Sequence, residues 1–141
     1  MVECIAERDL DAPFGKVWAL LRNFGDLSWY EGPERVEVLG EGPGQMRRIH
    51  IPGLEATVEE VLTSIDDEGY SIRYHVKKGD LVPFDDYHAT ATITDLGDGK
   101  SHARWHATYG PGGMPEEDAV SLMQGNYTTM LDMLERAAAR P

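Results

Sequence analysis

The feature that most constrains the fold is a series of short alternating segments in the middle of the chain, followed by one long helical segment. Turn sequences rich in glycine, proline and aspartate, such as GEGPGQ, DDEG and LGDGK, separate these segments. The predicted strands lie at 34–39, 45–51, 55–65, 70–78, 86–95 and 101–109. Because consecutive strands joined by short turns usually pair with their neighbours, the pattern predicts an antiparallel meander.

The segments before the meander predict one more strand and two short helices. Residues 2–10 have the composition of a strand. Asp11 can cap the helix that follows and Pro13 suits its first turn, so we predict a helix that ends near Arg22. A second short helical turn is predicted over 25–29, before a Gly-Pro pair that disfavours further helix.

The last predicted element is a long helix that follows the sequence GPGGMP and ends near Ala139. Apolar residues recur along it at helical spacing, so one stripe must be buried. That stripe consists of Ala119, Met123, Tyr127, Met130, Leu134 and Ala137. Only this helix is long enough to cover one face of a curved sheet. We therefore predict an α+β fold in a single domain, 1–141, with a curved antiparallel seven-stranded sheet wrapped around the C-terminal helix.

The charge balance restricts the partners of the chain. It carries 25 acidic and 13 basic residues, which gives a net charge of −12. A field of that sign repels phosphate backbones and anionic lipid surfaces, so we predict neither a nucleic-acid partner nor a membrane partner. A neutral or cationic small molecule is compatible with it, and a homodimer stays open.

The residues that bind metals, cofactors or disulfide partners form no recognisable motif. Cys4 is the single cysteine, which suits a reducing compartment, and no leader or membrane-spanning run is apparent, so we predict a cytoplasmic protein. His102 and His106 are four residues apart in a predicted strand, where they face solvent. Neither glycine-rich turn has the lysine of a phosphate loop. The prediction is no metal and no cofactor.

Alternation assigns a face of the sheet to each strand residue. The set expected to face the long helix contains large aromatic residues and alanines: Tyr70, Ile72, Tyr74, Val76, Tyr87, Ala89, Ala91, Ile93, Ala103, Trp105, Ala107 and Tyr109. Alanines leave space, and methionines on the helix adapt to irregular gaps. The pattern favours an internal cavity over its alternative, a tightly packed core of alternating large and small residues.

Two neighbouring strands place a charged residue on the inward face. In QMRRIHI, Arg47 shares a face with Ile49, and in TVEEVL, Glu60 shares a face with Val58. The short turn between the strands predicts that Arg47 lies opposite Glu60. Buried charges are costly unless they are paired. The pair is either a structural ion pair or a polar group inside a pocket, and the residues alone leave both open.

Several of these motifs together resemble a known family. The opening DAPFGKVWALLRNFGDLSWYEG, the strands GQMRRIHI, VEEVLTSID and ARWHATY, and the connection YHVKKGDLVPFDDY are similar to the START and birch-pollen-allergen-like superfamily (SRPBCC). They most resemble its bacterial polyketide cyclase/dehydrase branch. This resemblance implies a helix-grip fold with a deep cavity between the sheet and the long helix.

The resemblance also implies roles for particular residues. Arg47 and Glu60 match charged positions of the family's third and fourth strands, and Tyr74, Tyr87 and Trp105 match recurring aromatic positions. Trp29 and Tyr30 would then lie at the cavity entrance. The sequence departs from the family at Val61, where relatives often carry arginine, and in having one short domain. The remaining residues expected to contact a ligand are Ile49, Val58, Ala89, Met123, Tyr127 and Met130.

Two functions follow from these expectations. In the first, the chain is an enzyme of aldol cyclisation or dehydration: Arg47 polarises a carbonyl, Tyr74 or Tyr87 donates a proton, and Glu60 acts as the base. In the second, the same cavity carries or senses a hydrophobic small molecule without reaction. A third and weaker alternative assigns function to the acidic surface alone.

Overall fold

The computed structural model describes residues 1–140, which form one antiparallel sheet of seven strands and two helices. In chain order the elements are β1 (Val2–Leu10), α1 (Phe14–Arg22), β2 (Arg35–Leu39), β3 (Met46–His50), β4 (Thr57–Asp66), β5 (Ser71–Val76), β6 (Asp85–Gly97), β7 (Lys100–Gly110) and α2 (Glu116–Ala138). The strand order across the sheet is β1-β7-β6-β5-β4-β3-β2. Strands β2 to β7 therefore form the predicted meander, and β1 adds to its far end. The α+β helix-grip prediction is confirmed.

Helix α1 begins without the predicted aspartate cap. Pro13 takes the cap position, and its carbonyl oxygen accepts the N–H groups of Lys16 and Val17, both at 3.1 Å. The backbone N–H of Asp11 instead donates to Glu135 of α2 at 2.7 Å. The cap prediction was wrong because the start of the helix is tied to the C-terminal helix rather than to its own side chains.

The segment after α1 is less regular than predicted. Residues 25–29 lie within two separate turns, closed by hydrogen bonds from Asp26 to Asn23 (2.9 Å) and from Tyr30 to Leu27 (3.0 Å). The Asp26 carboxylate accepts the N–H of Ser28 at 2.9 Å. This local side-chain bond competes with the helical pattern, so no continuous second helix forms there.

Helix α2 lies across the concave face and is tied to the far end of the sheet. The hydroxyl of Tyr109 on β7 donates to the Ala119 carbonyl at 2.8 Å, and Arg8 on β1 pairs with Asp132 at 2.7 Å. Three acidic residues occupy its first turn and Arg136 its last, which suits the helix dipole. Of the predicted stripe, Met123, Met130 and Ala137 are half-buried rather than fully covered.

The inward set is buried as alternation predicted, with one exception. The residues from Ile72 to Tyr109 in that set all belong to the core. Tyr70 lies before β5 with a φ of 54°, and it is 38% exposed. Its ring packs edge-on against Phe14 and Trp18 of α1. The prediction for Tyr70 was wrong because the preceding turn extends one residue further and reverses the backbone.

Candidate functional site

The charged pair predicted from the strand pattern lies on the inward face. Arg47 pairs with Glu60 across β3 and β4, and its Nε donates to Glu60 Oε1 at 2.6 Å. Its Nη1 donates to the Phe24 carbonyl oxygen at 3.1 Å. The two charged side chains are only 9% and 14% exposed. The predicted position of Arg47 opposite Glu60 is confirmed, and the pair leaves the Glu60 Oε2 atom without a hydrogen bond to any residue from 1 to 140.

Two aromatic rings contact the guanidinium group from adjacent directions, with their own centroids 5.7 Å apart. Its central carbon lies 4.0 Å from the Phe24 ring centroid and 5.5 Å from that of Tyr74. Rings at these distances attract a cation through their quadrupole. Phe24 comes from the turn after α1, so that irregular segment positions the pair. Sequence reasoning missed Phe24 because both of its contacts with Arg47, through the ring and through the carbonyl oxygen, come from an irregular segment without a periodic pattern.

The pair borders a cavity of about 270 Å³ between the concave sheet and α2. Strands β3 to β6, the β5–β6 connection and α2 form most of the wall, and the α1–β2 connection completes it. The lining residues are Leu27, Tyr30, Arg47, Ile49, Ile51, Val58, Glu60, Tyr74, Val76, Leu81, Val82, Pro83, Phe84, Tyr87, Leu122, Met123, Asn126, Tyr127 and Met130. Apart from one ion pair, one asparagine and four phenols, the wall is apolar.

The structure brings most of the predicted site residues to this cavity and separates three from it. The residues that line it are Arg47, Glu60, Tyr74, Tyr87, Tyr30, Ile49, Val58, Met123, Tyr127 and Met130. Trp29 is buried beside it and meets Tyr30 edge-on, with ring centroids 5.9 Å apart. Ala89 and Trp105 lie in the core behind the tyrosines. Ala89 and Trp105 face inward beyond the part of the sheet that borders the cavity, whereas Trp29 belongs to the connection between α1 and β2.

Three tyrosine hydroxyls gather inside the cavity. Tyr74 accepts a hydrogen bond from the indole Nε1 of Trp105 at 3.1 Å, and Tyr87 on β6 shares a short hydrogen bond with Tyr127 on α2. Burial raises the pKa of Tyr74, and the nearby Glu60 carboxylate adds to the effect. Burial likewise raises the pKa of Tyr87 and Tyr127. All three therefore stay neutral phenols, able to donate a proton to a hydrogen bond.

The β5–β6 connection forms one wall of the cavity, a role that the sequence analysis did not assign to it. Gly79 and Val82 exchange backbone hydrogen bonds at 3.1 Å, which makes a small hairpin with Leu81 near its tip. Lys78 pairs with Asp85 at its base, at 2.7 Å. The apolar residues of KKGDLVPFD were the signal that this connection packs against the protein, because three large apolar side chains in an exposed turn would be unfavourable.

A glycine of the β7–α2 connection fits closely against this hairpin. Gly112 has a φ of 64°, and a Cβ atom there would lie 2.0 Å from the carbonyl oxygen of Pro83. Neighbouring Gly113 has a φ of 86° and open space around it. The close contact at Gly112 sets how near the hairpin approaches the end of the sheet, and hence the shape of the cavity wall.

Two other kinds of site are not found in the part of the chain that the structure describes. No group of three or more histidine, cysteine or acidic residues between residues 1 and 140 has a geometry that could hold a metal ion. Neither of the two helices in that range is long and apolar enough to cross a membrane. The outward histidines His102 and His106 instead pair with acidic residues of β1.

Comparison with known proteins gives a family match over almost the whole chain. A family model described as polyketide cyclase / dehydrase and lipid transport matches residues 1–139. No curated protein matches.

Several solved structures have the same fold. XoxI from Bacillus cereus superposes with a TM-score of 0.84 at 21% identity, covering 98% of this chain and 96% of that one. An uncharacterised protein from Bacillus thuringiensis gives 0.85 at 23% identity, covering 99% and 100%. Norcoclaurine synthase from Thalictrum flavum, solved with dopamine and hydroxybenzaldehyde, gives 0.72 at 16% identity, covering 96% and 84%. At these identities the similarity establishes the fold.

Proposed function

Because this chain belongs to the polyketide cyclase / dehydrase and lipid transport family, we propose that it binds a small hydrophobic molecule, polyketide-like in character, between its sheet and α2. The observation that carries the proposal is an apolar cavity with one polar corner, where the Arg47–Glu60 pair lies near the ring of Tyr74. Ligand sites are typically apolar with a few convergent polar groups that fix orientation. This cavity has that composition.

Its size favours a compact ligand. A volume of about 270 Å³ falls just under the usual range for ligand pockets, roughly 300–1,000 Å³. A molecule of two or three fused rings suits this space better than a long extended acyl chain. Norcoclaurine synthase, which has the same fold, is known in complex with the small aromatic molecules dopamine and hydroxybenzaldehyde. Small aromatic compounds are therefore the first ligand class to test.

The polar corner also supports a reaction, aldol cyclisation followed by dehydration. Glu60 would take a proton from a carbon between two carbonyls, and the resulting enolate carbon would attack a second carbonyl of the same chain. Arg47 would stabilise the enolate oxygen, and Tyr74 or Tyr87 would protonate the new alkoxide. In the dehydration step, the tyrosine phenolate would remove the remaining proton from the carbon that attacked. The hydroxyl group on the neighbouring carbon would then leave as water, with the proton that Glu60 had taken up.

A carrier or sensor is the second candidate, and one observation favours it. Arg47 and Glu60 already pair with each other at 2.6 Å, so they would orient a bound ligand while taking no part in proton transfer. The family description covers lipid transport as well as cyclases. In this case, Tyr74 and the charged pair give only specificity.

Two measurements test these proposals. Native mass spectrometry of the purified protein should show a co-purifying small molecule, or binding of an added aromatic ketone. Turnover of a short poly-β-ketone thioester should then be compared in Glu60→Gln and Glu59→Gln. Glu59 is the matched control, because it neighbours Glu60 on β4 but faces outward beside Arg48.

The outcomes separate the candidates. Turnover that is lost in Glu60→Gln and kept in Glu59→Gln supports the enzyme. Binding without turnover in the wild type supports the carrier. No binding of any aromatic molecule contradicts both.

A further inference from the structure

Trp105 does not line the cavity, but it is hydrogen-bonded to Tyr74, which does. It lies on β7 opposite Ala91 of β6, and it is 2% exposed. Its indole Nε1 extends to the hydroxyl of Tyr74 on β5, at 3.1 Å, so the bond passes across the intervening strand. The β6 residue opposite Tyr74 is Ala89. Because both β6 residues on this path are alanines, the indole and the phenol can meet over them.

This bond determines what the Tyr74 hydroxyl can still do. A phenol has one proton to donate, and an indole N–H can only donate. The oxygen of Tyr74 is thus the acceptor toward Trp105, and its own proton must go elsewhere. Among residues 1–140, no acceptor lies within hydrogen-bond distance of that proton, although Tyr74 lines the cavity. A buried donor without an acceptor is unfavourable, so a ligand that supplies one is favoured.

The charges of Arg47 and Glu60 restrict the chemical class of the ligand further. The positive charge of Arg47 is compensated by Glu60 at 2.6 Å, and no other cationic residue lines the cavity in the described chain. An anionic ligand such as a carboxylate would meet the Glu60 carboxylate without a free cation to balance it. A neutral carbonyl oxygen accepts a hydrogen bond without that cost.

We propose that Trp105 is a positioning residue that fixes Tyr74 as a hydrogen-bond donor into the cavity, and that the ligand bound there presents a neutral acceptor oxygen, such as a ketone, to Tyr74. The inference rests on the proposed function, that the cavity binds a small hydrophobic molecule. It specifies that the ligand carries a hydrogen-bond acceptor at its buried end. It also gives Trp105 and Ala89, which do not touch the cavity, a role in specificity.

The test uses three tricyclic molecules of nearly equal shape. Fluorenone carries a carbonyl acceptor, carbazole carries an N–H donor, and fluorene carries neither. Dissociation constants measured by calorimetry should rank fluorenone tightest for the wild type. Loss of one hydrogen bond changes affinity by about 3- to 10-fold. Trp105→Phe and Tyr74→Phe should each reduce the fluorenone-to-fluorene preference by that factor, and the double variant should reduce it no further.

Controls distinguish this role from simple packing. Trp18→Phe is the matched variant, because Trp18 packs on Tyr70 away from the cavity, and it should keep the preference. A second readout needs no Trp105 variant: the indole N–H resonance of Trp105 should shift when fluorenone binds and stay in place with fluorene, because a polarised phenol accepts more strongly.

Each outcome bears on one of the two proposals. Three results would overturn the role of Trp105 while the binding function stands. They are equal affinity of the wild type for all three molecules, equal weakening of all three by Trp105→Phe, and an indole resonance that responds alike to fluorenone and fluorene. Failure of the wild type to bind any of the three contradicts the binding function, and this inference with it.

Discussion

Arg47 and Glu60 face each other on neighbouring strands, and the guanidinium Nε donates to the carboxylate at 2.6 Å inside the protein. Their neighbours Arg48 and Glu59 form a looser outward pair, 3.6 Å apart. The same two strands therefore carry one inner and one outer ion pair of the same chemistry. The outer pair provides an internal reference for every effect assigned to the inner pair.

Neutralising Glu60 should destabilise the protein, because Arg47 is then left as a buried cation. We expect Glu60→Gln to lower the free energy of unfolding by about 3 kcal/mol, the low end for a broken buried pair, since the amide oxygen still accepts from Nε. Glu59→Gln should change it by less than about 0.5 kcal/mol. Urea denaturation measures both. Equal effects of the two substitutions would contradict the burial of the inner pair.

Replacing both charged residues should separate stability from function. Arg47→Met with Glu60→Leu removes the desolvated charges together, which is often neutral or stabilising in protein interiors. We expect the double variant to be more stable than Glu60→Gln, within about 1 kcal/mol of the wild type, and to have lost turnover or ligand selectivity. Unfolding curves and the binding assay measure the two properties. Unchanged ligand selectivity in the stable double variant would show that the pair is only structural.

Substituting Gly112 should displace the hairpin that forms one cavity wall. An alanine Cβ there would collide with the Pro83 carbonyl, whereas Gly113→Ala meets open space. Both positions have positive φ and share the backbone strain. Gly112→Ala should therefore cost about 2 kcal/mol more than Gly113→Ala and weaken binding of an aromatic ketone. Thermal unfolding and calorimetry test this. Similar losses in the two variants would mean that strain alone matters.

At high pH, the buried tyrosines should ionise only when the protein unfolds. Burial raises the pKa of Tyr74, Tyr87 and Tyr127 above the ordinary value of about 10. Since the folded state favours the neutral phenol, this contribution to stability is complete below pH about 10 and falls as the pH rises further, when the unfolded chain releases its protons first. Tyrosinate absorbance for these three should appear together with the loss of near-ultraviolet circular dichroism. The protein unfolded in urea is the control, and tyrosinate from these residues in the folded protein near pH 10 would contradict their burial.

Much of the fold was predictable because its signals are local. Alternation in QMRRIHI and TVEEVL, with the short turn between them, defined the register that pairs Arg47 with Glu60. Gly- and Asp-rich turns marked the strand order. The errors at Asp11 and Tyr70 have one cause: each residue sits where the chain leaves a regular element, and its partner comes from a distant helix.

The sequence by itself determined the strands of the meander, their pairing, most of the residues that face inward and the charged pair among them, because these follow from a period of two and from turn geometry. Only the tertiary structure decided which inward residues meet the cavity and which support it from behind. Trp105 and Tyr74 share a face of the sheet, yet only Tyr74 lines the cavity. Side-chain alternation specifies a direction from the sheet, whereas the distance to α2 depends on how the whole sheet curves and how the hairpin near Gly112 closes its end.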